Sequence, residues 1–124
     1  MALVDVNGDI RATGNVIAYH SSDARLKENI LEITDALEKI ASIRGVTYDW
    51  AEDAGLDTSG PNFNIYFPRT GQAGVIAQEV QEVMPDAVHV RDNDMLAIDY
   101  LHITALLIQC VRELKARVEQ LESK

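Results

Sequence analysis

Leu26, Ile30, Ile33, Leu37 and Ile40 recur at intervals of three and four residues, which lays apolar side chains along one face of a helix. The spacing predicts a helix over 24–42, closed by Gly45 and opened by Asp23 as N-cap, with Ser22 a rival for that place. Val46, Tyr48 and Trp50 then alternate with polar residues and predict a strand. Asp53, Gly55, Asp57, Ser59, Gly60 and Pro61 mark an exposed loop over 51–62. Phe63, Ile65 and Phe67 predict another short strand, ended by Pro68 and Gly71. From Gly74 a strand entry leads into a short helix whose apolar face is Ile76, Val80, Val83 and Met84, stopped by Pro85. Val88 and Val90, the turn Asp92-Asn93-Asp94, and Met95, Leu96 and Ile98 predict a hairpin.

An uninterrupted helical pattern runs from about Asp99 to Leu121. Within it Thr104, Val111 and Val118 fall seven apart, as do Leu107, Leu114 and Leu121. That is a heptad seam whose flanks become highly charged after residue 112. So narrow a stripe predicts packing against copies of the chain, although a helix lying on its own sheet is the simpler alternative. The heptad composition does not settle two strands against three, and β-branched residues with Leu would even allow a dimer. Residues 3–19 read as short strands, from Leu3, Val4 and Val6 through Asn7-Gly8 to Ile10 and Ala12, then Thr13-Gly14-Asn15 to Val16, Ile17 and Tyr19. They carry too little apolar material to fold alone, so a sheet or prism shared with partner copies is expected, a frayed hairpin being the alternative. The fold class is α+β: a small mixed domain with an N-terminal helix, short antiparallel strands and a long C-terminal helix.

Composition narrows the function. The chain has 124 residues, 47% of them hydrophobic, enough for one core and little more. A net charge of -9 repels phosphate backbones, so nucleic acid is not an expected partner. No apolar run approaches the ~18 residues that would predict a membrane span. The start, Met1-Ala2-Leu3-Val4-Asp5, lacks a signal-peptide pattern and reads as a chain begun partway through something larger. Cys110 is the one cysteine, which excludes an intrachain disulfide, and its helical setting predicts that it is packed. His20, His89 and His102 are far apart in sequence and show no ligand spacing, and Gly71 to Gly74 has no phosphate-loop pattern; no metal or cofactor is expected.

One pair carries a chemical possibility. A serine hydroxyl becomes a nucleophile when a base takes its proton, and a lysine amine can be that base. Ser22 stands at the predicted helix mouth and Lys27 about one turn inside. A helix N-terminus disfavours an added cation and offers free amides to an oxyanion. Asp23 and Glu28 are acids close enough in sequence to hold Lys27 as an ordinary ammonium. On chemistry alone, a helix-capping Ser22 is the leading reading.

The run Ser22-Asp23-Ala24-Arg25-Leu26-Lys27-Glu28-Asn29-Ile30 carries the pattern Ser-Asp-x-Arg-x-Lys-x-x-Ile without departure. It resembles the signature of the self-cleaving intramolecular chaperone domain that ends phage endosialidases, tail fibres and tailspikes. It is also similar to the autoprocessing domain of myelin regulatory factors. Gly45 to Trp50, Gly74 to Val80, Met84 to Val88 and Ile98 to Leu107 supply four further matching blocks in order. The resemblance covers residues 20 to 124.

The resemblance implies that Ser22 is the nucleophile, that the cut falls between Ser21 and Ser22, and that Lys27 is the general base. Asp23 and Arg25 would organise the site, with Asn29 and His20 as supporting candidates. It implies a homotrimer, with Thr104, Leu107, Val111, Leu114, Val118 and Leu121 in a trimeric coiled coil. Residues 1–21 would be the last strands of a fibre or tailspike body, and 22–124 the chaperone and autoprotease. The folding client is the upstream fibre chain. Assembly would take place in the host cytoplasm, on a precursor of a virion tail component. Direct hydrolysis and an N-to-O acyl shift both remain open. The alternative is a trimeric structural or receptor-binding tip that stays attached; a hydrolase acting on other molecules is a distant third.

Overall fold

The computed structural model describes residues 3–6, 10–51, 69–91 and 94–124. Two polar residues decide how the first half of the chain folds. Asn29 and Asp35 take left-handed φ angles of 53° and 54°, a region that Asn and Asp enter more readily than other side chains. A right-handed helix cannot pass through such residues. The helix expected over 24–42 is therefore corrected to two pieces. One is a 3-10 turn, Ala24–Leu26, and the other a five-residue helix α1, Ala36–Ile40.

By its packing the chain divides into two units, Met1–Leu31 and Glu32–Lys124. In the first, every described residue is exposed, including Leu26 and Ile30 of the expected stripe. Thr13 and Gly14 bend the chain where the second turn was expected, but none of the described residues of this unit forms a strand. A strand without a neighbour leaves its amides to water and buries nothing, which is why the described residues of 3–19 take no strand pairing within one chain. The Asn7-Gly8 turn, most of the 51–62 loop and the Phe63 to Phe67 strand lie outside the described residues.

The second unit holds two antiparallel hairpins around helices. Strand β1, Val46–Tyr48, pairs with β2, Gln72–Gly74, in the register Val46↔Gly74, Thr47↔Ala73 and Tyr48↔Gln72. The Asp49 carboxylate accepts the Gly71 amide at 3.0 Å, and Gly71 itself turns at a φ of +69°, where a side chain would be strained. Tyr48 and Trp50, two apart on one face, meet edge to face at 5.2 Å. Helix α2, Ala77–Val83, buries Val80 and stops before Pro85, because the residue preceding a proline avoids the helical region. A 3-10 turn, Pro85–Ala87, leads into β3, Val88–Val90, which pairs with β4, Leu96–Ile98. Helix α3, Tyr100–Glu122, closes the chain and opens on Asp99, whose carboxylate caps the Leu101 amide at 3.0 Å.

The core is Ala36, Ile43, Val80, Ala87, Ile103, Leu106 and Cys110, with Ile33, Leu37 and Ile40 packed against it. The last three keep the periodicity of the expected helix although only its end is helical. α1 is too short to persist alone. Its first two free amides, Ala36 and Leu37, donate to the two oxygens of Glu113 on α3, each at 3.0 Å. The buried Cys110 thiol, one turn earlier, donates to the Ala36 carbonyl at 3.3 Å. Those amides hold the Glu113 carboxyl below its ordinary value, with burial opposing them. Burial pushes the Cys110 thiol up, and the charge of Glu113 adds to it.

Two outcomes test this packing. Leu106→Ala removes a fully buried side chain and should lower unfolding free energy by about 3 kcal/mol in a denaturant titration. Glu113→Gln should unfold earlier than the unmutated chain at neutral pH. A carboxyl depressed by folding stabilises above its unfolded value, here the ordinary 4.5, and loses that contribution as pH falls through the lower folded value. The gap between the two proteins should therefore close on acidification below 4.5, and a gap independent of pH would place the carboxylate elsewhere.

Candidate functional site

The run from Ser21 to Ile30 folds around the 3-10 turn Ala24–Leu26. Its backbone bonds are Leu26 N–H to the Asp23 carbonyl at 3.0 Å and Lys27 N–H to the Ala24 carbonyl at 3.1 Å. Lys27 leaves the turn extended, at φ -116° and ψ 145°. Lys27 Nζ then donates to Ser22 Oγ at 2.6 Å. The expectation that Lys27 lies inside a helix is corrected: a three-residue turn aligns too few peptides for a helix-end field, and the turn between the two residues brings them together.

Asp23 caps this turn as the sequence suggests. Its Oδ1 accepts from the Arg25 amide at 2.9 Å and from Arg25 Nε at 3.1 Å, and its Oδ2 accepts from Arg25 Nη2 at 2.8 Å. The guanidinium bonds, with the backbone amide second, hold the Asp23 carboxyl below the ordinary aspartate range. Ser22, not capping the turn, keeps its Oγ for Lys27. Among the described residues no carboxylate forms an ion pair with Lys27, neither Asp23 nor Glu28. Asn29 contributes its left-handed backbone, which turns the chain just after Lys27. His20 and Ser21 are exposed, and among the described residues no hydrogen bond joins His20 to Ser22.

A hydroxyl and an amine at this distance can exchange a proton in either direction. With the amine charged, Oγ accepts; with it neutral, Oγ–H donates to it and the oxygen gains nucleophilic character. No group of three or more His, Cys, Asp or Glu suited to a metal ion occurs among the described residues, and no helix among them is long and apolar enough to cross a membrane.

The second candidate surface is on α3. Ile103, Leu106 and Cys110 turn inward, whereas Thr104, Leu107, Val111, Leu114, Val118 and Leu121 are all exposed. The seam is thus a separate face from the one the chain buries against itself. His102, beside the seam, brings Nδ1 to 3.2 Å from Asp99 Oδ2 without the alignment of a hydrogen bond. Sequence reasoning missed Glu113 and the grip of Glu79 on Arg44, whose carboxylate takes the Arg44 amide and guanidinium at 2.6 to 3.0 Å. Both join residues far apart in sequence, and neither leaves a periodic signal.

Comparison with known proteins adds identity to this geometry. A peptidase family described as the chaperone of endosialidase matches residues 22–89, so the match starts at Ser22. The chain is 37% identical over 125 residues to the long tail fiber protein Gp37 of Enterobacteria phage K3, covering 95% of this chain and 9% of that protein. The Gp37 of Enterobacteria phage T2 matches to the same extent. Myelin regulatory factor homolog 1 of Caenorhabditis elegans is 34% identical over 130 residues, 99% of this chain and 13% of its own length. The chain therefore spans about a tenth of the length of these relatives.

Proposed function

The chain belongs to the chaperone of endosialidase family, and on that premise we propose that it is the assembly module of a phage tail fibre or tailspike. It gathers three copies, brings the upstream chains into register and then cuts itself free between Ser21 and Ser22. The observation that carries the cutting step is the 2.6 Å approach of Lys27 Nζ to Ser22 Oγ. Ser22 is the nucleophile and Lys27 its base, with Asp23, Arg25 and Asn29 shaping the turn that joins them.

Ser22 Oγ–H gives its proton to the neutral Lys27 amine, and Oγ bonds to the Ser21 carbonyl carbon. The C–N bond to Ser22 breaks, and its nitrogen takes the proton back from Lys27. Water then opens the resulting ester, leaving a carboxylate on Ser21 and restoring the Ser22 hydroxyl. Direct attack by water reaches the same products by adding one water across the same bond.

Support for assembly comes from the balance of apolar surface. Among the described residues, seven hydrophobic side chains are buried and twenty large ones are exposed. Five of the twenty, Leu107, Val111, Leu114, Val118 and Leu121, lie on the seam and form an apolar stripe suited to meeting copies of itself. Arg117 and Glu122 flank the seam at positions that face each other between parallel, in-register helices. Holding three chains together reduces the entropy cost of pairing strands far apart in sequence. Cutting afterwards removes the aid and leaves a product protected by its unfolding barrier.

Mass spectrometry across a refolding time course tests the cut. The unmutated chain should give a product beginning at Ser22 only after folding, and Ser22→Ala should stay whole as a trimer. Lys27→Ala should also stay whole near neutral pH and regain some cutting at higher pH, where hydroxide substitutes for the base. A Ser22→Ala product beginning at residue 22 would reduce Ser22 to a structural residue. A folded, unmutated trimer that never cuts would instead support the attached structural tip. Sedimentation equilibrium at micromolar concentration should give a trimer, and Leu114→Asp should weaken it by placing an unpaired charge in the seam. An unchanged mass for that variant would exclude the seam as the interface.

A further inference from the structure

Asp23 follows Ser22 directly and lies four residues from Lys27. A carboxylate beside an ammonium stabilises the charged amine, and a charged amine is no base. An aspartate here therefore threatens a Ser–Lys pair unless its charge is bound elsewhere. It cannot simply be dispensed with, because Asp23 caps the turn that carries Lys27 back to Ser22.

Arg25 meets both requirements. It occupies both oxygens of Asp23 with two guanidinium bonds and one backbone bond. The guanidinium is fixed in charge and planar, suited to a two-point grip that a lysine cannot reproduce. We propose that Arg25 is a positioning residue for self-cleavage: it binds the charge of Asp23 so that Lys27 is left to Ser22. This rests on the reading of Ser22 and Lys27 given above. The other titratable groups of the run are Glu28, next to Lys27, and His20, two residues before Ser22. Both are exposed, and both stay unchanged in the test.

A bracing role, in which Arg25 only stiffens the turn, makes different predictions. With the charge grip, Arg25→Ala frees the carboxylate to attract the lysine. Cleavage at neutral pH should slow by about threefold, and the rise of the pH–rate profile should move up by about half a pH unit, the scale of one exposed ion pair. Arg25→Lys should recover part of the rate. The double variant Asp23→Asn with Arg25→Ala should return the profile to its original position, because Asn keeps a capping oxygen and carries no charge. A single variant with an unmoved profile, or a double variant slower than the single one, overturns the proposal in favour of bracing.

A second measurement does not need cleavage. In uncut Ser22→Ala protein the Asp23 carboxyl is followed by NMR titration. With Arg25→Ala, Lys27 should take over as its partner and keep it low; adding Lys27→Met should then raise it. No rise overturns the charge competition. A rise in a protein whose unmutated form never cuts overturns self-cleavage alone and leaves the competition of Arg25 and Lys27 for Asp23 standing.

Discussion

Glu113 holds the second unit together at its least self-sufficient point. A five-residue helix has almost no internal hydrogen bonding, and its leading amides need acceptors wherever they point. One carboxylate from α3 supplies two of them at once. Ala36, the residue so fixed, has no exposed surface, and Ile33, Leu37 and Ile40 pack on the core around it. Without that carboxylate the segment after Asp35 would have apolar residues to bury and no fixed direction in which to bury them.

Much of the second unit was legible because its signals are local. Pro85 stops a helix wherever it occurs, the alternation at Val46, Tyr48 and Trp50 needs only a neighbour, and Asp99 caps α3 through its own next residues. The helix over 24–42 was misread for a physical reason. Periodicity records where apolar side chains stand, not whether the backbone between them is hydrogen-bonded. Asn29 and Asp35 were visible as residue types that tolerate a left-handed turn, yet nothing local said they would take one. Glu113 and Glu79 act across 76 and 35 residues, and no window of sequence contains both ends of such a bond.

The candidate site was legible as a set of residues and not as a geometry. Ser22 and Lys27 stood out through the nine-residue run, but the mechanism expected to join them, a helix N-terminus, is absent. A tight turn does the work, and Asp23, expected as a rival for Lys27, is bound by Arg25 instead. The whole pair is carried on one short stretch of chain, so its geometry is set by local bonds. That would suit the proposed self-cleavage, in which the pair acts once on the peptide it is attached to and needs no cleft shaped for a diffusing substrate.

Helix α3 keeps its two obligations on two faces. Ile103, Leu106 and Cys110 serve the fold, whereas Leu114, Val118 and Leu121 are exposed. The 23 residues extend about 35 Å at the usual rise per residue, and beyond Glu113 every side chain is exposed. Selection can therefore act on that end almost independently. A substitution there changes what the exposed stripe can meet and leaves the inward face as it was. A helix divided in this way lets its outer stripe be altered without disturbing Ile103, Leu106 and Cys110, the side chains that hold the fold.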